Sequence, residues 1–135
     1  MKMPIKASDA LPWAEDALNQ ATEDLNEAVA QHEAAMEDKI KEIMKDGRWS
    51  WFRRVPYTRE EAEEIFDRSY YTFQEPHGYR VGNDRGFMLP SFTAVAARRS
   101  QVEKVKALYG QIILAGSRDV ILNDDEMKII SPFIK

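Results

Sequence analysis

The chain has 135 residues, 44% of them hydrophobic and 31% charged, which is enough apolar material for a core and too much for a disordered segment. It contains no cysteine, so a disulfide framework, a thiolate zinc site, an iron–sulfur cluster and a cysteine nucleophile are all excluded. A formal net charge of −4 argues against a globally basic coat for nucleic acid.

Met1-Lys2-Met3-Pro4-Ile5-Lys6 is positively charged, but no apolar run of signal-peptide length follows it. No stretch nears the length that spans a bilayer, and Pro132-Phe133-Ile134-Lys135 is no lipidation or retention signal. The expectation is a soluble, cytoplasmic protein.

Residues 9 to 46 read as one long helix, with Asp9 as N-cap, Pro12 in the first turn and Gly47 just beyond the end. Leu11, Leu18, Leu25 and His32 recur every seven residues, and Ala14, Ala21, Ala28 and Ala35 do so three residues later. This heptad, with leucine on one core position and alanine on the other, predicts a tight antiparallel helix pair. A homodimer through Leu11, Ala14, Leu18, Ala21, Leu25 and Ala28 satisfies the same pattern. His32 on that seam reads as a hydrogen-bonded core histidine that sets register. Beyond Ala35 the stripe shifts to Met36, Ile40, Ile43 and Met44.

The segment from Trp49 to Val55 is closed by Pro56. Thr58-Arg59-Glu60-Glu61 is a capping box opening a helix over about 59–69, buried through Ala62, Ile65 and Phe66. Tyr70-Tyr71-Thr72-Phe73 and Phe87-Met88-Leu89 have strand composition, with Pro76, Gly78, Gly82, Asn83, Asp84 and Gly86 between them, and predict a small hairpin or irregular excursion. A second long helix is expected over about 92–115, carried by Val95, Val102, Val105, Tyr109 and Ile112, with Arg98 interrupting its seam. Gln111 to Ala115 has a rival reading as a strand paired with Val120 to Leu122. Asn123-Asp124-Asp125-Glu126 then caps a short helix to Ile130. The fold class expected is α+β, mainly helical, in a single domain: the long acidic helix (9–46), an Arg- and aromatic-rich middle (47–90), and the second long helix with a short C-terminal one (91–135).

Few patterns point to chemistry. His32 and His77 are the two histidines; Val29 stands where a Glu-x-x-His motif needs glutamate, so no metal site is expected. Gly78, Gly82 and Gly86, with Arg80, Asn83 and Arg85 between, form a regular spacing that suits either turns or a phosphate on backbone amides. Asp124, Asp125 and Glu126 fit a helix start as well as a cation site. Glu75 and Asp84 are isolated acids near the aromatic segment. No nucleophile elbow or kinase set appears, so no cofactor and no catalytic role are expected.

Arg48-Trp49-Ser50-Trp51-Phe52-Arg53-Arg54 gathers three aromatics and three arginines. Such a cluster supplies stacking faces, cation–π capacity and forked donors. Alternatively, Trp49, Trp51 and Phe52 plug the helix pair while the arginines neutralise acids of the first helix; the readings combine if Trp49 and Phe52 point inward. Charge is segregated. Residues 1–46 carry 5 lysines, no arginine and 11 acids, whereas residues 47–110 hold 11 basic and 8 acidic residues. The acids Glu15, Asp16, Glu23, Asp24, Glu27, Glu37 and Asp38 form a regular outer face on the first helix.

These features resemble small accessory or virus-encoded proteins in general look. They predict a non-catalytic protein-binding module (adaptor, inhibitor or assembly subunit) that acts through the Arg/aromatic patch or the acidic helix face, without membrane association. The candidate binding residues are Arg48, Trp51, Arg53, Arg54, Tyr79, Arg80 and Arg85. The alternative is a binder of single-stranded nucleic acid or a phosphorylated ligand through the same cluster; an enzyme of unrecognised type comes third.

Overall fold

The heptad segment is one continuous 40-residue helix, α1 (Ala7–Asp46), preceded by a strand, β1 (Met3–Lys6). Next come β2 (Arg48–Ser50), β3 (Arg53–Val55), α2 (Arg59–Ser69), β4 (Thr72–Gln74) and β5 (Gly78–Arg80). α3 (Pro90–Ala115), β6 (Asp119–Leu122), α4 (Asp124–Ile130) and a 3₁₀ turn (Ser131–Phe133) complete the chain. The structure, a computed structural model, describes residues 3–74, 78–80 and 86–134, and the side chains of 4–72 and 86–134. The fold is mainly helical α+β, as expected. It has two compact units, Met1–Glu27 with Ala96–Lys135 and Ala28–Val95, and α1 and α3 contribute to both.

In the first unit the two long helices pack antiparallel through alanine. Ala7, Ala10, Ala14, Ala17 and Ala21 are all buried, against Val102, Val105, Leu108 and Ile112 of α3. Both core positions of the heptad are therefore alanine there. Leu11, Leu18 and Leu25 are half-buried on its flanks, because a seam narrow enough for alanine leaves no room for leucine at its centre. Ala14 and Ala21 of the stripe proposed for a homodimer are thus covered in this unit by the chain's own α3, while its leucines stay half-buried. Arg98 lies off the seam: it is exposed, 3.9 Å from Asp24.

The end of this unit is closed by a two-stranded antiparallel sheet, β1 with β6, in which Met3 faces Leu122 and Lys6 faces Asp119. Val120 and Leu122 point into the core while Asp119 and Ile121 are exposed, the period of two expected of a one-sided strand. This corrects the rival reading of Gln111 to Ala115, which α3 carries through Gly110 as helix. It also corrects Asp9 as N-cap. The helix starts directly after β1, where the Ala7 N–H donates to the Arg118 carbonyl (3.1 Å). Pro12 accordingly sits inside α1 rather than in its first turn. α4 opens on the expected box, Asn123 accepting from the Glu126 N–H (2.8 Å) and Glu126 from the Asn123 N–H (3.1 Å).

The second unit is built on the shifted stripe of α1. Ile40 is buried with Ala62 and Phe66 of α2, and Met36, Ile43, Met44, Tyr57, Tyr70 and Leu89 pack around them. Phe66 stacks on Tyr70 at 4.7 Å. Thr58 closes the predicted capping box with Glu61. The Thr58 N–H bonding the Glu61 carboxylate, helped by its hydroxyl and by the charge of Arg48, holds that group below the usual carboxylate range. β4 pairs with β5, Thr72 opposite Arg80. The second strand expected at Phe87-Met88-Leu89 is therefore displaced to 78–80. Phe87 keeps a single parallel bridge, donating to the Ser69 carbonyl (2.7 Å) and accepting from the Tyr71 N–H (2.8 Å).

His32 is buried in this unit with Nδ1 2.7 Å from the Ser91 hydroxyl and its ring edge-on to Phe92. Burial lowers its pKa from the ordinary 6.5, only partly opposed by the charge of Glu33. The folded state therefore prefers neutral histidine: its contribution is complete above 6.5 and is lost as pH falls toward the lower folded value. The thermal midpoint is expected to fall between pH 7.5 and pH 5 and to flatten over that interval in His32→Gln. Identical slopes for both proteins would refute this.

Candidate interaction site

The Arg/aromatic cluster is a β-hairpin. β2 and β3 pair antiparallel with Trp49 opposite Arg54 and Ser50 opposite Arg53, leaving Trp51 and Phe52 as a two-residue turn. Such turns require positive φ at their first residue and normally place Gly or Asn there. Trp51 takes that place with φ +58°. Its side chain is 92% exposed and that of Phe52 95% exposed, while Trp49 is also exposed. The plug reading is corrected: none of the three aromatics enters the core.

The hairpin is fixed by the end of α1, whose last carbonyls lack helical partners. The Gly47 N–H donates to Ile43 (3.2 Å), the Tyr57 N–H to Met44 (3.2 Å) and the Arg54 guanidinium to Asp46 (2.8 Å). Gly47 makes the reversal possible with φ +65° and with the Val55 carbonyl so close that any Cβ would overlap it. Arg54 also covers the Trp49 ring at 5.3 Å from its centroid. Arg54, on the hairpin face it shares with Trp49, is thereby committed to holding the hairpin on the helix. The opposite face carries Arg48, Ser50 and Arg53.

The arginines do not neutralise carboxylates of α1 as expected, since Arg54 takes a backbone carbonyl. Arg59 makes that ion pair instead, donating to Glu37 (2.6 Å) and Glu63 (2.7 Å). The Arg59 hydrogen bond pulls the Glu37 pKa down, and those of Glu37 and Glu63 push the Arg59 pKa up. The acidic face of α1 is interrupted accordingly, with Asp24 near Arg98 and accepting from Gln20 (3.0 Å) and Glu37 held by Arg59.

Of the candidate residues, Arg48, Trp51, Arg53 and Arg54 come together here. The side chains of Tyr79 and Arg80, and Arg85 altogether, lie outside the described residues, as do His77, Glu75, Asp84 and most of the Gly78–Gly86 phosphate cradle. Sequence reasoning missed the exposure of Trp49 and Phe52. The only signal for it was two aromatics where a turn belongs.

Elsewhere the first unit has an open cleft of about 450 Å³ floored by Ala17, Ala21 and Val105, with Arg98, Gln101 and Lys128 at its edge. Among the described residues no three histidine, aspartate or glutamate side chains could hold a metal ion, and no helix is long and apolar enough to cross a membrane. Comparison with protein-family models, curated proteins and solved structures gives no match for this chain.

Proposed function

We propose that the chain is a non-catalytic protein-binding module that engages its partner through the tip of the β2–β3 hairpin. The observation that carries this reading is the Trp51–Phe52 turn, two large aromatics almost wholly in water at a position where a smaller residue would relieve the backbone. Left-handed φ costs a non-glycine residue about 1–2 kcal/mol, and exposed aromatics add nothing to the core in return. A strained, exposed indole is a reason to look for an external contact, and tryptophan with arginine is the composition of interface hot spots.

Charge around the tip supports a protein over a nucleic acid. Residues 42–64 hold five cations (Lys45, Arg48, Arg53, Arg54, Arg59) and six acids (Glu42, Asp46, Glu60, Glu61, Glu63, Glu64), so the hairpin is not set in the positive field that tracks a phosphate backbone.

Trp51→Gly tests the reading, because it keeps the turn and removes the anchor. Stability is expected to stay level or rise by up to about 1 kcal/mol. Retention of partner from nuclease-treated native lysate is expected to fall at least about tenfold. A variant that retains the same protein as well as the parent does would sink the proposal.

A further inference from the structure

We infer that the partner offers an apolar cleft with a carboxylate at its rim, and that Arg53 is the specificity-determining residue that reads this carboxylate. The inference rests on the hairpin tip being the binding element.

The three hairpin arginines are not equivalent. Arg54 is folded over Trp49 and donates to the last turn of α1. Arg48 sits at the base of the hairpin, opposite Val55 and farthest from the turn. Arg53 is exposed and makes no hydrogen bond or ion pair within the described residues. It follows Phe52 directly and faces the small Ser50 across the ladder.

The tip ahead of it is apolar. Two rings of this size gain free energy only when enclosed, which demands a concave apolar surface. Once they are seated, the Arg53 fork lies one residue behind them, at the edge of the contact. There it is partly desolvated but able to reach outward. A planar guanidinium in that place is matched best by a carboxylate, which takes two parallel N–H bonds. A row of phosphates would call on several arginines around the tip, and on this face Arg53 alone adjoins the turn. The acids of α2, Glu60, Glu61, Glu63 and Glu64, are all exposed and repel an anion presented broadly, so the matching charge must be local.

The experiment uses the full chain and the protein it retains from nuclease-treated native lysate, purified and titrated against four variants at low and moderate salt. Arg53→Glu is expected to weaken binding at least about tenfold, and Arg53→Lys by an intermediate factor, since a point charge cannot make the forked bond. Lys45→Glu, the same charge change at the exposed end of α1, is expected to stay within about threefold. Trp51→Gly should abolish binding. Full binding by Arg53→Glu alongside loss in Trp51→Gly overturns the carboxylate contact and leaves the tip reading standing. Equal losses in Arg53→Glu and Lys45→Glu overturn it too, as a general charge effect. Tighter binding by Arg53→Glu shows a basic rim and does the same. Retention of nothing that Trp51→Gly loses, or of material that nuclease removes, overturns both readings.

Discussion

Phe66→Ala is expected to lower the stability of the second unit by about 3–4 kcal/mol, the usual cost of deleting a fully buried phenyl ring. Phe66 is 1% exposed, stacks on Tyr70, and closes the core that Ala62 and Ile40 share with Met36, Ile43 and Met44. Hydrogen exchange is the appropriate readout: amides of α2 and of residues 36–44 should lose protection while those around Leu108 and Ile112 keep theirs. Loss spread evenly over both regions would show that the two compact units open together.

Gly47→Ala is expected to be strongly destabilising. A Cβ at this site would lie 2.9 Å from the Val55 carbonyl carbon and 3.2 Å from the Pro56 Cα, and φ +65° is left-handed. Both faults are backbone faults, so no rotamer relieves them. A loss of about 2–4 kcal/mol is expected, together with the Tyr57 and Arg54 bonds that dock the hairpin on α1. Gly110→Ala supplies the contrast. A Cβ there meets nothing within 4 Å in the middle of α3, so the same substitution should stabilise by about 0.5–1 kcal/mol. Thermal melts of the two variants should move in opposite directions; a shared direction would mean that the hairpin is not held at Gly47 as described.

The elements legible in the sequence are those whose determinants are local. Thr58 with Glu61, and Asn123 with Glu126, specify their helix starts within four residues, and both boxes close as written. The long apolar periodicities specify α1 and α3, and His32 was recognisable from its place on the seam. The strands were not legible in the same way. β1 and β6 are four residues each and far apart in sequence, so neither has a period long enough to read, and each is a strand only because the other is present. The β2–β3 turn has no Gly or Asn, and its hairpin follows from Gly47 and from the unpaired carbonyls of α1. The Arg/Trp cluster could be found by composition. Which arginine adjoins the turn without a partner could not, because that depends on the hairpin register and on where the Asp46 carbonyl lies in space.

The pairing of β1 with β6 has a consequence for the order of assembly. The second unit is one uninterrupted stretch, Ala28–Val95, so its core can form from contacts made within that stretch. The first unit draws on both flanks, and Met3 meets Leu122 only after the intervening residues have been made. Loop-closure entropy favours the contiguous core forming first. During synthesis, the alanine seam near the start of α1 then waits without its valine and leucine partners on α3. A row of alanines is a mild surface to leave exposed in that interval; a row of leucines would be a sticky one.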